Sequence, residues 1–476
     1  MRPTIVGTLL LAIGLTACTV GPDYEPPTPP KGANQPLPAS DATGLSTADT
    51  PDAWWRLYSD GKLDALVLEA FAANDDLKTA EANLAGARAL FEYARAGLFP
   101  HTNINLGGVY GRDVTTDEIL ELGGHQPQTI WLFDDILDVS YELDLFGHVR
   151  RSIEEAEAGA EATVAQRDVV KITVAAETIR AYAQFCALGE QIDVAHHSLD
   201  LVSREAEITR QRRDAGAGSD FDVVRAEELV EQTRSTIPPL EGQRQVALFE
   251  LAAVLGRTPA NLPQSVESCA KPPQLGAVLP IGDGAQLLRR RPDIRVADRR
   301  LASAVAGIGV AIADLYPRIS LGALFGGAST SIDQLGTKDA LTWGVGPSMN
   351  WTFPIQAAPR AKVAQAKASA AAALSQFDAA VLQALKETAQ ALASYSAELR
   401  HHEALLAAQA KARKAFELAH DQFIAGSVSN LDLLTSEQTL VAADAAVAVS
   451  DTAIVQDQIG VFKALGGGWQ TMPAKG

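Results

Sequence analysis

The feature that most constrains this sequence is the stretch from Gly147 to Gly216, which its pattern predicts to be one very long helix. No proline occurs between His148 and Ile237. At about 1.5 Å per residue, such a helix would be on the order of 100 Å long, far more than a globular domain needs. Apolar or small residues recur at three- and four-residue spacing, which is typical of a narrow coiled-coil seam: Phe185, Leu188, Ile192, Ala195, Leu199, Val202 and Ala206.

A second copy of this layout follows 210 residues later in the chain. The reversals at Gly216 and Gly426 are separated by that interval, as are Leu255-Gly256 and Leu465-Gly466. The second returning stretch repeats apolar residues every seven positions, and the first half breaks this pattern only at Arg244. Landmarks that share one offset are typical of internal duplication, so we expect a two-fold repeat. Coincidence in a heptad-rich chain is the alternative.

The N-terminus predicts a bacterial lipoprotein. Residues 1–17 contain Arg2 and an apolar run, as a signal peptide does. The run ends in Leu15-Thr16-Ala17-Cys18, which matches the lipoprotein cleavage pattern and predicts N-acyl and S-diacylglycerol groups on Cys18. Several acyl chains anchor a protein stably, since each buried methylene contributes about 0.8 kcal/mol. Thr19, rather than Asp, resembles the residue found in lipoproteins sorted to the outer membrane; an ordinary signal peptide with an incidental cysteine is the alternative.

The mature chain divides into five predicted segments. Residues 18–50 carry the acylated cysteine and a tether rich in Pro, Thr and Gly. A first repeat, a linker, a second repeat and a C-terminal tail follow, over 51–260, 261–284, 285–468 and 469–476. Because the two repeats share one layout, we expect one elongated molecule rather than several ordinary domains.

Two stretches alternate between apolar and polar or small residues, as membrane β-strands do. Two weaker stretches would complete a hairpin with each of them, with loops outside the membrane at 111–135 and 327–340. The four predicted strands cover about 102–110, 136–146, 318–326 and 341–353. A strand half-buried in a soluble sandwich has the same period and is the alternative. The lipoprotein signal and the very long helices favour the membrane.

Four strands cannot close a barrel around a lumen, and an open sheet edge is not tolerated in lipid. Closure therefore requires two chains with eight strands or three chains with twelve. From residue 51 onward no run of about 18 consecutive apolar residues occurs, so we expect no transmembrane helix. The sequence thus predicts a mixed α and β membrane protein that is complete only as an oligomer.

Composition and motifs argue against nucleic-acid binding and catalysis. The net charge of −18 disfavours a nucleic-acid partner, since phosphate binding needs basic surface. His196-His197 and His401-His402 are adjacent on predicted helices, so their side chains diverge by about 100° instead of converging on a metal. Gly307-Ile308-Gly309 lacks the other elements of a dinucleotide loop, and Arg289-Arg290-Arg291 is better explained as a solvated or salt-bridged cluster than as a phosphate site. We therefore predict no enzyme, no cofactor and no bound metal.

Two further cysteines, Cys186 and Cys269, belong to the first repeat and the linker. Cys186 lies 30 residues before Gly216, which is about 45 Å along the predicted helix. The returning helix ends at a comparable height, so the segment with Cys269 could pass nearby. A disulfide in the oxidising periplasm is one alternative. Two unpaired buried thiols are the other, and we favour them.

The reversals are predicted to be tight turns between helices. Gly216 and Gly426 suit such turns because glycine accepts positive φ. Ser219 and Ser429 follow at the positions of helix N-caps. Pro238-Pro239 interrupts the first returning helix but has no counterpart in the second half, so the two repeats should bend differently.

Several short motifs resemble those of the TolC-like outer-membrane efflux proteins, and most closely their lipoprotein branch, the NodT family of RND efflux outer-membrane components. The resemblance covers nearly the whole mature chain. It rests on Cys18 to Tyr24, Trp54-Trp55 ahead of Leu63-Asp64-Ala65-Leu66, Tyr141 to Gly147 with Arg150-Arg151, Arg290-Arg291-Pro292-Asp293-Ile294, and Tyr316 to Leu321. One departure is Asp298, where the family pattern would have Glu.

This resemblance implies a homotrimer whose twelve strands form one barrel in outer-membrane lipid, continued by a long helical coiled-coil barrel in the periplasm. It implies a passive exit duct of a tripartite efflux system, with a periplasmic adaptor (membrane fusion) protein and an inner-membrane RND-type pump as partners. An exit duct for ABC-type protein secretion and a non-pore structural envelope lipoprotein are the alternatives.

The resemblance also implies roles for residues at the helical hairpin tips. Asp222 and Asp432 are candidates for a closed constriction, because carboxylates from three chains on one axis would attract cations and repel one another. First-turn carboxylates favoured by the helix dipole are the alternative for both. Phe423 is a third gate candidate, since it lies where the family often has an aromatic tip residue. Four residues would also meet the adaptor: Gly216, Ser219, Gly426 and Ser429.

Overall fold

The computed structural model describes residues 19–37, 44–112, 122, 129–261, 269–275 and 278–467. The predicted signal peptide, Cys18 and the 469–476 tail lie outside these residues. The described residues form two units. Within the described ranges, unit 1 draws on 19–27, 84–112, 122, 129–163 and 297–377, and unit 2 draws on 28–37, 44–83, 164–261, 269–275, 278–296 and 378–467.

The described residues contain nine α-helices and six strands. The helices, in chain order, are α1 Gly61–Ala73, α2 Asp75–Ala96, α3 His148–Asp214, α4 Asp220–Arg234, α5 Ile237–Val254, α6 Gly284–Arg290, α7 Pro292–Ala313, α8 Ala357–Ile424 and α9 Asn430–Ala464. The strands are β1 Leu45–Ser46, β2 His101–Gly111, β3 Ile130–Leu143, β4 Leu279–Pro280, β5 Arg318–Ser329 and β6 Leu341–Asn350. Short 3₁₀ helices occur at Trp54–Tyr58 and Ile332–Gln334.

The predicted very long helices are confirmed: α3 has 67 residues and α8 has 68. The Asp144 carboxylate begins α3 by accepting hydrogen bonds from the N–H groups of Val149 and Arg150, at 3.0 and 3.1 Å. These N–H groups belong to the first turn, which has no partner within the helix. Pro359 is the third residue of α8. Its missing N–H costs nothing in the first turn, so the helix continues past it.

The two returning helices differ as the prolines predict. In the first half, α4 ends at Arg234 and α5 begins at Ile237, with Pro238 and Pro239 in its first turn. In the second half, α9 continues for 35 residues without a break. The break occurs because a proline inside a helix removes a backbone donor and clashes with the preceding turn.

Unit 1 contains an antiparallel sheet in the order β2-β3-β5-β6. Residues directly opposite one another on neighbouring strands share a face. One apolar row crosses all four strands: Ile104, Leu137, Phe325 and Trp343. The corresponding row on the other face is small or polar: His101, Ser140, Gly322 and Gly346. The four predicted strands are therefore present, with one apolar face.

Strand β3 differs from its predicted range of 136–146. It runs from Ile130 to Leu143, so it begins six residues earlier and ends three residues earlier. Its first part is apolar at consecutive positions, and therefore lacks the period of two that marks a half-exposed strand. Ile130 pairs with Gly111 of β2, so part of the predicted 111–135 loop belongs to the hairpin.

Strand β6 ends at Asn350, three residues before its predicted end. The indole N–H of Trp351 donates to the Leu315 carbonyl at 3.1 Å. Trp351 and Phe353 then stack with ring centroids 4.7 Å apart. The apolar alternation continues past the strand because Trp351 contacts the chain just before β5, and Phe353 stacks on Trp351, instead of pairing in the sheet.

The core of unit 2 is built around the Trp54-Trp55 motif. Trp54 is fully buried and stacks on Phe462 of α9, with ring centroids 4.5 Å apart. Trp55 meets Phe71 of α1 edge-on at 5.9 Å. The motif therefore joins the segment before α1 to the end of the second returning helix.

The Arg-Arg-Pro-Asp-Ile motif forms a junction within the same unit. The buried Arg291 guanidinium donates to the Ala464 carbonyl at 2.8 Å, to both carboxylate oxygens of Asp293, and to Glu387 at 2.7 Å. Ala464 is the last residue of α9, so Arg291 satisfies a carbonyl that has no partner within the helix. These contacts make the arginine motif a salt-bridged structural junction.

Cys186 and Cys269 form a disulfide, instead of remaining the two free thiols that we favoured from the sequence. Gly189, one turn after Cys186, allows the two segments to approach: a Cβ there would lie 2.8 Å from the Cys269 carbonyl oxygen. Arg244 of α5 donates to the same carbonyl at 3.0 Å. The segment that carries Cys269 is therefore held by residues that are distant from it in sequence. The estimated position of Cys186 along its helix could not show this, so it did not decide between a disulfide and two free thiols.

Helix α9 is, within the described ranges, the one helix that is long and apolar enough to cross a membrane by length and composition. We expected none, because α9 has no long uninterrupted apolar run; its many Ala and Val residues raise the mean hydropathy instead. A core helix has the same composition. Leu433, Ile459 and Phe462 are fully buried in unit 2, so we assign α9 to the protein core.

Candidate functional site

Each helical hairpin of unit 2 ends in the same backbone turn. The first joins α3 to α4 and the second joins α8 to α9. Gly216 has φ +75° and Gly426 has φ +74°, and no atom lies within 4 Å of where a Cβ would be at either position. Both turns have the hydrogen bonds of a Schellman motif: Gly216 to Arg213, Ala217 to Arg212, Gly426 to Phe423 and Ser427 to Gln422.

Each turn leads into a capping box. Ser219 accepts a hydrogen bond from the Asp222 N–H at 3.2 Å, and the Asp222 carboxylate accepts one from the Ser219 N–H at 3.1 Å. Ser429 and Asp432 make the same pair of bonds, both at 3.2 Å. The structure thus uses both serines as N-caps and gives both aspartates a local partner. One carboxylate oxygen forms these bonds in each aspartate, and the other is left for further interactions.

Contacts within unit 2 join the two hairpins close to their turns. Arg212 donates to the Phe423 carbonyl at 2.5 Å, and its guanidinium lies 4.2 Å from the centroid of the Phe423 ring. Thr209 and Asn430 are in hydrogen-bond contact at 3.4 Å. Phe423 is therefore buried within its own chain rather than projecting from the tip. The sequence did not indicate this, because Arg212 and Phe423 are 211 residues apart.

Two exposed apolar residues occupy equivalent positions at the two tips, and sequence reasoning missed them. Phe221 is 69% exposed and Leu431 is 49% exposed. They are 210 residues apart, and each lies between the serine and the aspartate of a capping box. The box holds its own two side chains against the helix end, whereas the residue between them faces outward. Comparison of the two repeats could have found this pair.

A segment near the N-terminus packs against α3 and α7 in unit 1. The buried Arg151 side chain donates to the Val20 carbonyl at 3.1 Å and to the Asp23 carboxylate at 2.7 Å. Tyr24 donates to the carboxylate of Asp298, the position where the family pattern would have Glu. The first described residues after Cys18 are therefore fixed beside the beginning of α3.

Within the described ranges, no group of three or more His, Cys, Asp and Glu side chains is arranged to hold a metal ion. The adjacent residues His401 and His402 face different carboxylates, Glu398 at 3.4 Å and Asp451 at 3.6 Å. Their divergence follows from the rotation between consecutive residues of a helix.

The family model described as "Outer membrane efflux protein" matches residues 66–257 and 284–467. The chain belongs to this family. The two matched segments together contain α3, both hairpin turns and all four strands of the unit 1 sheet.

Two relatives match over nearly their whole length. "Nodulation protein T" of Rhizobium leguminosarum bv. trifolii is 29% identical over 94% of this chain and 94% of its own. "Pyoverdine export outer membrane protein OpmQ" of Pseudomonas aeruginosa is 30% identical over 90% of both chains. The predicted resemblance to the NodT branch is thereby confirmed.

Solved structures show the same fold. The outer-membrane channel OprN is 33% identical, with a TM-score of 0.88 over 95% of this chain and 100% of its own. The open state of the MtrE outer-membrane channel of Neisseria gonorrhoeae is 26% identical, with a TM-score of 0.82 over 95% and 99%. The predicted mixed α and β channel fold and the outer-membrane location are therefore confirmed, and the chain is an outer-membrane efflux protein.

Proposed function

We propose that this chain is one subunit of a homotrimeric exit duct, which passively conducts substrates that an inner-membrane RND-type pump exports through a periplasmic adaptor. The observation that carries the proposal is the unit 1 sheet. It has an apolar face, and among the residues that the structure describes its outer strands β2 and β6 are each paired on one side only. Because an unpaired edge is costly in lipid, other copies must complete the sheet. Three copies would supply twelve strands.

The proposed duct has no chemistry of its own, no cofactor and no nucleic-acid partner. Its anchor is the triacylated Cys18, as the lipoprotein cleavage pattern Leu15-Thr16-Ala17-Cys18 supports. Substrate selection then belongs to the pump. The internal repeat over 51–260 and 285–468 supplies two hairpins with equivalent tips, as their matching Schellman turns and capping boxes support.

We further propose that the tips meet the adaptor through Gly216, Ser219, Gly426 and Ser429, together with the exposed Phe221 and Leu431. An apolar residue that protrudes beside a polar cap resembles the small anchor of a protein interface. Phe423 contributes to the tip by holding Arg212 rather than by lining the aperture.

The experiment that tests the duct is planar-bilayer recording with the purified full-length protein. A trimeric duct is expected to give discrete single-channel conductance steps. A structural lipoprotein would give none, and that result would reject the proposal. To separate efflux from ABC-type protein secretion, cross-linking in cells should capture an RND-type pump with its adaptor rather than an ABC transporter.

The proposed gate consists of Asp222 and Asp432. In the capping boxes each carboxylate is placed in the first turn beside the aperture that three tips would form, and its negative charge repels those of the other copies. Asp432→Asn keeps an oxygen for the cap but removes the charge. We expect this variant to raise single-channel conductance, because it weakens the bonds between the charged carboxylate and neighbouring helices that would hold the aperture shut. It should also lower selectivity for cations, because the ring of negative charge weakens.

Asp421→Asn is the matched control, since Asp421 is an exposed aspartate of the same hairpin. It should leave both the conductance and the cation selectivity unchanged. If Asp432→Asn behaves like this control while conducting normally, Asp432 acts only as a cap.

A further inference from the structure

Two buried glutamates lie close to the hairpin tips in unit 2. Glu437 of α9 is 0% exposed and Glu205 of α3 is 4% exposed. Within the described part of the chain, neither carboxylate oxygen of Glu437 has a hydrogen-bond partner, and neither does Oε2 of Glu205. A buried carboxylate without a partner is strongly disfavoured in its charged form, so such a group binds a proton instead.

An apolar cluster includes residues next to this pair in the sequence. It contains residues from α3, α4 and α9: Val202, Ala206, Ala226, Leu229, Val230 and Leu434. Ala206 follows Glu205 directly, and Leu434 lies about one turn before Glu437. The α4 residues of this cluster are apolar, so they offer neither carboxylate a counter-charge.

Two charged or titratable groups affect the pKa values of the pair. Glu205 on α3 acts on Glu437, and His420 on α8 acts on Glu205. Burial, followed by the charge of Glu205 on α3, raises the pKa of Glu437 to about 8. Burial also raises the pKa of Glu205, against the opposing effect of His420 on α8. His420 Nδ1 lies 3.1 Å from Oε1 of Glu205, on the side away from the unpartnered Oε2. The pair thus joins one helix of the first hairpin to both helices of the second.

We propose that Glu205 and Glu437 share one proton, and that this proton couples the two helical hairpins. With the proton bound, the pair carries one negative charge, and α3 packs against α9. When the proton is lost, two like charges face each other in an apolar site, and the helices separate locally.

The shared proton determines how the packing of α3 against α9 depends on pH. The packed state keeps a proton that the locally opened state releases, because an exposed glutamate has a pKa of about 4.3. Between that value and the raised pKa of about 8, the packed state therefore binds more protons. Packing is stabilised at lower pH and weakens as the pH rises through this range.

A consequence for conduction, namely a tip that loosens at alkaline pH, rests on the proposed duct function. Proton binding by the glutamate pair and packing of the helices do not depend on that function. Both can be measured on protein that does not conduct. Failure of the duct and failure of the proton site are therefore distinguishable.

Infrared difference spectroscopy on the full-length protein tests for the proton. The wild type should show a protonated carboxyl C=O band at about pH 7 that disappears by about pH 10. Glu437→Gln should lack this band, whereas the exposed-residue control Glu228→Gln should keep it. Glu205→Gln should shift the disappearance of the band to lower pH, because it removes the neighbouring charge. An unchanged band in Glu437→Gln would overturn the proposal.

Hydrogen–deuterium exchange, corrected for intrinsic rates, tests the coupling of the helices. In the wild type and in Glu228→Gln, peptides that cover 199–209 and 431–441 should exchange about tenfold or more faster at about pH 8 than at about pH 6. Glu437→Gln should remove most of this difference. Equal pH dependence in Glu437→Gln and the wild type would contradict the coupling. So would protection at about pH 8 restored by magnesium ions, since that result would identify a cation site instead of a proton site.

Discussion

Single residues set the ends of the long helices. At Gly216 and Gly426 no neighbouring atom excludes a side chain, so the positive φ alone favours glycine. The serines and aspartates that follow then satisfy the first N–H groups of the returning helices. Each hairpin turn is therefore specified within about ten residues, without help from the rest of the chain.

Replacing the second of these glycines tests that specification. Gly426→Ala should destabilise the hairpin by about 1 kcal/mol, because alanine is strained at positive φ. Gly159→Ala is the control: Gly159 lies inside α3 with no atom within 4 Å of its Cβ position. This change should stabilise the helix by about 0.5–1 kcal/mol. Thermal unfolding followed by circular dichroism measures both, and equal effects of the same sign would contradict the assignment.

Residue roles that depend on local spacing were predictable, and those that depend on distant partners were not. The caps and turn glycines follow from patterns of four residues, and the structure has them at Ser219 and Gly426. The burial of Phe423 under Arg212, the Glu205–Glu437 pair and the disulfide each join residues from segments that are distant in the chain. Nothing in local periodicity fixes which helices become neighbours.

Among the elements, the helices and the strands are predicted from two different signals. Beyond the first turn no proline interrupts α3 or α8, which allows their length, and the alternation of apolar with polar or small residues gives the sheet its apolar face. The signal weakens where a strand is apolar on consecutive positions, which is why the beginning of β3 was assigned to a loop. Pro238 and Pro239 were sufficient to predict that the first returning helix breaks and the second does not.

The two faces of the sheet should respond differently to charge. Val345 of β6 lies on the apolar face, in a row with Val139 and Ala323. Val345→Lys should cost about 2–4 kcal/mol if this face meets lipid near the middle of the bilayer. Ser348→Lys, on the opposite face of the same strand, should have little effect.

The yield of assembled protein in outer-membrane fractions, and its resistance to heat before electrophoresis, measure this difference. Comparable losses from the two lysine substitutions would argue against a lipid-facing row. A loss confined to Ser348→Lys would indicate that the face with Ser348, rather than the apolar face, meets lipid.

At the scale of the whole molecule, one chain is an incomplete membrane protein. Within the described residues, β2 and β6 each pair on one side only, and an unpaired edge in hydrocarbon leaves backbone groups without partners. Family membership places the protein in the outer membrane. We therefore expect copies of the chain to join edge to edge until the sheet closes.

The number of chains in the assembled particle tests this most directly. Native mass spectrometry of the full-length protein, released from detergent micelles in the gas phase, reports that number without assuming a function. We predict three chains, which together carry twelve strands. A particle with a single chain, stable and monodisperse after the detergent is removed, would contradict the account.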